Sequence, residues 1–270
     1  MGHDFDPRGR VALVTGASSG IGRALAQALA VRGARVALLA RRHDRLEELA
    51  CEIAAAGGEA RAFACDVSER AAVEAARAGV EAALGPVEIL VNAAGYVRHV
   101  LFADHEPEDV ERMLRTNTLG TVFWIQAVLP AMRAARRGWI VNVSSLAGLL
   151  PQPDEAAYSA SKHAVTGLSE ALSYELEREG IRVLVVHPVL VRTEMFTPEV
   201  MARMPAGSER RFISAGRFAE ETLRALARGD RSAVIPRRYR GAVLLRALSP
   251  VWMGNLMARV KLRGLSGDVG

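Results

Sequence analysis

The chain has very little cysteine: two residues, Cys51 and Cys65, in 270. That count excludes a disulfide framework and makes a reducing interior the expected setting. No stretch approaches the roughly 18 consecutive apolar residues a spanning helix needs, which excludes a transmembrane helix. Met1 to Arg8 contains no apolar run, and Asp6 stands where a myristoylation pattern needs Ser or Thr. The expectation is a cytoplasmic chain without a secretory leader or an N-terminal lipid. Aromatic residues make up only 5%, so the core must be built from Ala, Val and Leu. The six histidines have no metal-ligand spacing, and no metal site is expected. Lysine occurs only at 162 and 261, the other 33 basic residues being Arg, so each lysine carries more information than usual.

The rest of the composition is that of a folded domain. Half the residues are hydrophobic and 24% charged, a balance that argues against disorder. The net charge of +5 is unevenly spread. From Arg228 to the end there are nine basic and two acidic residues, net +7, whereas residues 1–227 carry net −2. A near-neutral body with a basic end indicates a local surface and argues against nucleic-acid binding.

Apolar runs of strand length alternate with helical-period segments. Val11–Thr15 precedes a helix over 21–31, Val36–Ala40 one over 43–56, and Ala62–Cys65 one over 70–84. Ile89–Asn92 leads to helices across 107–135, and Trp139–Ser144 to a helix over 157–178. Ile181–Val186 and Ala233–Ile235 complete seven runs. The runs are continuous rather than alternating, as expected of parallel strands covered on both faces. The predicted fold is α/β: a single Rossmann-type doubly wound parallel sheet of about seven strands, order 3-2-1-4-5-6-7, flanked by helices. Two regions break the rhythm. Residues 193–217 read as a strand-free helical lid or loop, and residues 236–270 form an extension beyond the catalytic body at 1–235.

The first run ends in Thr15-Gly-Ala-Ser-Ser-Gly-Ile-Gly22, with a helix beginning inside it. Gly16, Gly20 and Gly22 permit a tight turn and a close backbone approach to a diphosphate, and the helix N-terminus offers free N–H donors. The second run ends Ala40-Arg41-Arg42. No acid is present there to bind a ribose diol, and a guanidinium fork suits the 2′-phosphate of NADP(H). Arg41 is expected to be the main discriminator, with Arg42 assisting. Asp66 follows the third run, where it can contact adenine, cap the helix near Ser68, or do both. Asn92-Ala-Ala-Gly95 closes the fourth.

Ser145 ends the fifth run, and Tyr158-Ser-Ala-Ser-Lys162 follows. Tyr158 and Lys162, four residues apart, share one helix face. A phenol with an ordinary pKa of about 10 needs roughly 4 kcal/mol of preferential phenolate stabilisation to titrate near 7. One cation at about 4 Å supplies roughly that much at an effective dielectric near 20. Lys162 is therefore expected to prepare Tyr158 as a general acid/base.

These motifs, with Asn117 and Pro188-Val-Leu-Val-Arg-Thr193, lie between residue 10 and about 235 in the order and spacing of the short-chain dehydrogenase/reductase family, which the chain resembles. The resemblance implies an oxidoreductase in which Tyr158 exchanges a proton with the substrate oxygen and Ser145 hydrogen-bonds that oxygen. Lys162 would bind the nicotinamide ribose and lower the Tyr158 pKa. Asn117 would hold the helix and a relay water. NADP(H) would lie along Gly16, Ser18, Ser19, Gly20, Ile21 and Gly22, then Arg41, Arg42, Asp66 and Val67. It would continue past Asn92, Ala93 and Gly95 to Tyr158, Lys162, Pro188, Val191 and Thr193. Family members often have Pro-Gly where this chain has Pro188-Val189, so Val189 is expected to add bulk beside the nicotinamide or substrate. Leu146, Leu150, Val189, Met195 and Phe196 are the expected substrate contacts, and their apolar character points to a lipophilic carbonyl or alcohol.

In the extension, Ser249-Pro250 is a helix start signal. Trp252, Met253, Leu256, Met257 and Val260 share an apolar arc, with Asn255, Arg259 and Lys261 outside it and Arg263 over one edge. Such a stripe can lie on a membrane surface, pack on its own domain or a second copy, or cover the active-site mouth. A homodimer or homotetramer is expected. The leading function is NADP(H)-dependent interconversion of a lipophilic ketone or aldehyde and its alcohol. The alternatives are a 3-oxoacyl thioester reductase, with Arg136-Arg137 meeting an acidic carrier protein, and a catalytically idle, membrane-associated NADP-binding regulator. The intact Ser145, Tyr158 and Lys162 set argues against idleness.

Overall fold

The computed structural model describes residues 5–202, 204 and 207–265, the last six as helix backbone. The strands of the central sheet are β1 (Val11–Thr15), β2 (Arg35–Ala40), β3 (Glu59–Ala64), β4 (Ile89–Asn92), β5 (Gly138–Val143) and β6 (Ile181–Pro188), closed by β9 (Ser232–Ile235). They pair in the order β3-β2-β1-β4-β5-β6-β9, all parallel, which is the expected order with the seventh run at the far edge. A separate two-residue ribbon, β7 (Val191–Arg192) with β8 (Ile213–Ser214), stands outside the sheet.

Alternate strand residues face opposite helix layers. Ala12, Val14, Val36 and Leu38 meet α1 (Gly20–Val31), α2 (His43–Ala55) and α8 (Ala215–Arg228) through Leu25, Leu29, Leu46, Leu49, Phe218 and Leu223. Val11, Leu13, Ala37 and Leu39 meet α3 (Arg70–Leu84) and α5 (Gly120–Ala135) through Val73, Val80, Trp124 and Val128. Leu176, just after α6 (Ala156–Glu175), belongs to this second layer. Burial on both faces is what makes the strand runs continuous in the sequence.

The structure corrects three expectations of local structure. The third strand begins three residues earlier than Ala62 and alternates in exposure, because it is the sheet edge and has a neighbour on one side only. The segment 193–217 is not strand-free. Ile213–Ser214 pair with Val191–Arg192, and Ala215–Arg217 already form the first turn of α8, capped by the Ser214 hydroxyl accepting from the Arg217 N–H. What remains of that segment carries the short α7 (Pro198–Ala202), and its residues 203, 205 and 206 lie outside the described set. Between α4 (Pro107–Met113) and α5, Leu114–Leu119 form a π turn. The extra backbone residue of such a turn redirects side chains at functional sites, and here it carries Asn117.

The extension folds as α9 (Arg240–Leu248) and α10 (Pro250–Leu265), with the Met253 N–H bonded to the Ser249 carbonyl at the expected start. Its apolar arc divides. Met253 is buried and, with Met257, Tyr239, Ala242 and Val243, packs on Leu146, Leu150, Val189 and Val234. Trp252 and Leu256 face outward, 55% and 41% exposed. The side chains of Val260, Lys261 and Arg263 lie outside the described residues. Among the described residues, no helix is long and apolar enough to cross a membrane.

Candidate active site

The ends of β1, β2, β4, β5 and β6 open into one cavity of about 480 Å³ at the carboxyl edge of the sheet, the position where such sheets bind ligands. The β1–α1 turn forms its floor. Gly16 has φ +66° and lies against the backbone of Ala94, where a Cβ would come within 2.8 Å of Cα. A Cβ on Gly22 would lie 2.3 Å from the Gly16 carbonyl oxygen. These two glycines are thus required by the protein's own packing at the expected tight turn, and both line the cavity. Thr15 completes the junction, its hydroxyl accepting from the Ala93 and Ala94 N–H groups at 3.0 and 3.1 Å. The first turn of α1 has no acidic residue and no side-chain cap, so its N–H groups and positive dipole end face the cavity unneutralised.

Arg41 and Arg42 both line the cavity but do different things. The Arg42 guanidinium donates to the Ser18 and Ser19 hydroxyls at 3.0 and 3.1 Å, over the glycine-rich turn. Arg41 is 3.9 Å from the Asp66 carboxylate. Arg42 is therefore the more firmly held of the two, whereas the sequence reading made Arg41 the main discriminator. Glu194 pairs with Arg42 at 3.5 Å and Arg45 at 2.7 Å, which keeps its carboxyl below the usual range. Asp66 does not cap a helix directly. Its carboxylate accepts from the Ser68 N–H and hydroxyl at 3.0 and 2.7 Å, ahead of α3, and Val67 lies beside it in the cavity wall.

Asn92 is buried and does not line the cavity. Its amide donates to Asn142 at 2.9 Å inside the sheet, and Ala93 and Gly95 line the cavity in its place. Asn117 is fully buried and works as a clamp. Its side chain accepts from the Tyr96 N–H at 2.8 Å and donates to the Tyr96 carbonyl at 2.9 Å and the Ser161 hydroxyl at 3.0 Å, tying the β4 loop to α6.

Ser145, Tyr158 and Lys162 meet in the cavity as the sequence spacing predicts. Tyr158 lines the same cavity as the Ser145 side chain, whose oxygen accepts from the Ala147 N–H at 3.1 Å. The Lys162 ammonium lies 5.7 Å from the Tyr158 ring centre and donates to the Val143 carbonyl at 2.9 Å. The expected drop of the phenol toward neutrality is not found. Burial, and then the charge of Glu155, push Tyr158 above its ordinary value, and the Ser145 side chain only partly opposes them. Burial lowers Lys162 to about 8. The physical reason is desolvation, which disfavours both phenolate and ammonium and outweighs their attraction at this separation.

Of the expected substrate contacts, Met195 and Phe196 line the cavity together with Ile21, Pro188, Val191 and Thr193. Leu146, Leu150 and Val189 do not. They pack beneath the extension around Met253, an apolar surface the sequence could not show to be covered from within. The bulk of Val189 therefore falls in that cluster. Leu190 next to it lines the cavity and holds φ +50°, a left-handed conformation costing on the order of 1 kcal/mol for a branched residue. Arg136 and Arg137 are engaged internally, on the Arg178 carbonyl at 2.8 Å and Glu88 at 2.7 Å.

Sequence reasoning missed two contributors. His187, fully buried, has Nδ1 3.2 Å from the Ser145 carbonyl and Nε2 3.2 Å from the Ser232 hydroxyl. Arg112 lies over the Tyr96 ring at 4.3 Å in the cavity wall. Neither has a local signal, since both contacts join residues distant in sequence. Burial raises the Cys65 thiol to about 11, which makes it inert. Among the described residues no cluster of His, Cys, Asp or Glu could hold a metal ion.

Comparison with known proteins gives a consistent picture. The profile of the family described as short chain dehydrogenase matches residues 10–203. A short chain dehydrogenase of Pseudocercospora fijiensis is 42% identical over 195 residues, 71% of this chain and 63% of that protein. The matched part thus spans under two thirds of that relative's length. D-threitol dehydrogenase of Mycolicibacterium smegmatis is 42% identical over 194 residues, covering 71% of this chain and 75% of that one. The 3-oxoacyl-[acyl-carrier-protein] reductase of Mus musculus is 40% identical over 186 residues, with 69% and 77% covered. Among solved structures, a metagenomic short-chain oxidoreductase in complex with NADP superposes with a TM-score of 0.71 at 37% identity, over 85% of this chain and 96% of that one. A short chain dehydrogenase/reductase from Burkholderia phymatum in complex with NAD gives 0.82 at 27% identity, over 95% and 98%.

Proposed function

The chain belongs to the short-chain dehydrogenase family of oxidoreductases, which bind a nicotinamide cofactor, and from that premise we propose that it interconverts a lipophilic ketone or aldehyde and its alcohol with NADP(H). The observation that carries this reading is the meeting of Ser145, Tyr158 and Lys162 in one cavity with the open N-terminus of α1. The residues present fit the cofactor. The first turn of α1 offers uncapped N–H donors to a diphosphate, and Arg42 is held over that turn by Ser18 and Ser19. Lys162, Pro188, Val191 and Thr193 would border the nicotinamide end. When bound, the cofactor supplies or accepts the hydride.

The protein's own part is to hold the substrate oxygen and move a proton. Tyr158, kept protonated by burial and Glu155, would donate to the carbonyl oxygen in reduction and take the proton back in oxidation. Ser145 orients that oxygen, and Asn117 fixes α6 against the β4 loop. Met195 and Phe196 supply an apolar wall. The extension at 236–270 would serve as a peripheral membrane contact, and assembly as a homodimer or homotetramer belongs to the same reading. Turnover of a panel of ketones, aldehydes and alcohols, followed by NADPH absorbance, tests the proposal. Reduction of apolar carbonyls with NADPH, or oxidation of apolar alcohols with NADP+, in preference to oxidation of small polyols with NADP+ supports it; no turnover with any member refutes it.

A second reading, reduction of 3-oxoacyl thioesters on a carrier protein, is favoured by the likeness to proteins named as such reductases. The internal use of Arg136 and Arg137 weakens the expectation that this pair meets the carrier.

A further inference from the structure

A second cavity, about 400 Å³, lies between α8 and the end of β9 with the turn that follows it. One wall is a face of α8, where Arg217, Arg224 and Arg228 recur with helical spacing around a single carboxylate, Glu221. The other is the turn after β9, with Arg237, Arg238 and Arg240. The α8 arginines have carboxylate neighbours: Glu221 for Arg217 at 2.8 Å, Glu220 for Arg224 at 3.8 Å and Asp230 for Arg228 at 2.6 Å. Arg238 donates to the Arg211 carbonyl. Among the described residues, no ion pair engages Arg237 or Arg240. Six guanidinium groups thus line the cavity, three with carboxylate neighbours and three, Arg237, Arg238 and Arg240, with no carboxylate partner among the described residues; an anion with several oxygens would compensate the latter three.

Arg240 also begins α9, and four-residue steps put Leu244 and Leu248 on its face of that helix. Leu244 and Leu248 are 64% and 83% exposed, and Val251 and Trp252 continue the exposed apolar surface onto α10. The basic cavity therefore opens at the foot of an uncovered apolar face. No Asp or Glu occurs between residues 231 and 267. A two-fold pairing of residues 231–267 offers these arginines no new countercharge, because that stretch carries no Asp or Glu. An anionic head on an apolar body matches both halves.

We propose that the cavity between α8 and the 237–240 turn binds the phosphate headgroup of an anionic phospholipid, whose acyl region meets the exposed face of α9 and α10. The inference rests on the reading of residues 236–270 as membrane-facing and adds a specific headgroup site to it. The arginines supply charge and oriented donors; Leu244, Leu248, Val251 and Trp252 supply apolar area at the interface.

The test is sedimentation with vesicles of phosphatidylcholine mixed with phosphatidic acid, and of phosphatidylcholine alone. The proteins are the full-length chain, Arg237→Gln/Arg240→Gln, the charge-matched Arg246→Gln/Arg259→Gln, and Trp252→Ser/Leu248→Ser. Unchanged thermal midpoints check folding. The expected result is binding to the anionic vesicles, weakened at least about thirtyfold by the cavity pair, clearly less by the charge-matched pair, and on both vesicle types by the apolar pair. Equal losses for the two arginine pairs would overturn the headgroup site while leaving a diffusely charged membrane contact intact. Absence of vesicle binding by the full-length chain would overturn both. Glycerol 3-phosphate binding that depends on Arg237 and Arg240 without vesicle binding would reassign the cavity to a free phosphate compound. Dependence of an acidic carrier protein on the same pair, again without vesicle binding, would reassign it to that protein.

Discussion

The Nδ1 atom of His187 lies 3.2 Å from the carbonyl oxygen of Ser145, so the imidazole of β6 supports the backbone that presents the serine. A carbonyl can only accept, so Nδ1 carries the proton; Nε2 is then the acceptor for the Ser232 hydroxyl at 3.2 Å. Both bonds use the neutral ring, and burial pushes the His187 pKa down to about 4. As pH falls below about 6.5 the unfolded chain takes up a proton that the folded ring refuses. The stability present above that value is then lost progressively toward pH 4, by up to about 3 kcal/mol. His187→Phe removes both bonds, with an expected cost at pH 7 of about 1–3 kcal/mol. It also flattens this part of the acid dependence. Urea titrations of both proteins from pH 7 to pH 4 measure the two effects, and identical slopes would exclude the assignment.

Tyr158→Phe keeps the ring and removes only the proton donor. Folding and cofactor binding are expected to persist while turnover drops by about a hundredfold or more. Steady-state kinetics beside a cofactor titration give the answer; a folded variant with substantial activity would remove Tyr158 from the role of acid.

Cofactor choice is expected to follow Arg42 more than Arg41, because at the end of β2, where a 2′-phosphate would lie, Arg42 is fixed by the Ser18 and Ser19 hydroxyls while Arg41 lies 3.9 Å from the Asp66 carboxylate. Loss of one charge-assisted phosphate contact costs roughly 1.5–3 kcal/mol, or about ten- to a hundredfold. Fluorescence titration of Arg42→Ala with NADPH and NADH should show that loss for NADPH alone. Arg41→Ala should produce the smaller change, and equal affinities in the unaltered protein would contradict the NADP(H) reading.

Burial brings Lys162 to about 8, so its charge disappears within an accessible pH range. The ammonium is the charged form and exists below that value. In the direction of reduction, kcat/KM is expected to fall as pH rises through about 8, since this ratio reports ionisations of the free protein. A profile flat to pH 10 would mean that the charge on Lys162 is not needed. Lys162→Met should be nearly inactive at every pH.

The parts of this protein that sequence made legible are those whose partners are close along the chain or imposed by a repeating pattern. Continuous runs such as Val36–Ala40 revealed a two-sided sheet, and its strand order followed. Tyr158 and Lys162 are one helical turn apart, and Ser145 ends the strand just before them, so their meeting was readable. Where a residue's neighbours come from distant segments, the pattern was silent. Arg41 and Arg42 are equivalent in one dimension, and only the approach of Ser18 and Ser19 distinguishes them. Leu150 and Val189 looked like substrate contacts until the extension was found packed on them.

The sequence by itself determined the sheet, the glycine-rich turn and the meeting of Ser145, Tyr158 and Lys162, because periodicity and short-range stereochemistry act locally. The tertiary structure alone decided the ionisation of that set and the fate of the apolar extension. Desolvation is a property of everything packed around a group, and it holds Tyr158 protonated where pairwise attraction to Lys162 predicted the opposite. Burial likewise divides one apolar arc into Met253, which packs on the catalytic body, and Trp252, which faces outward.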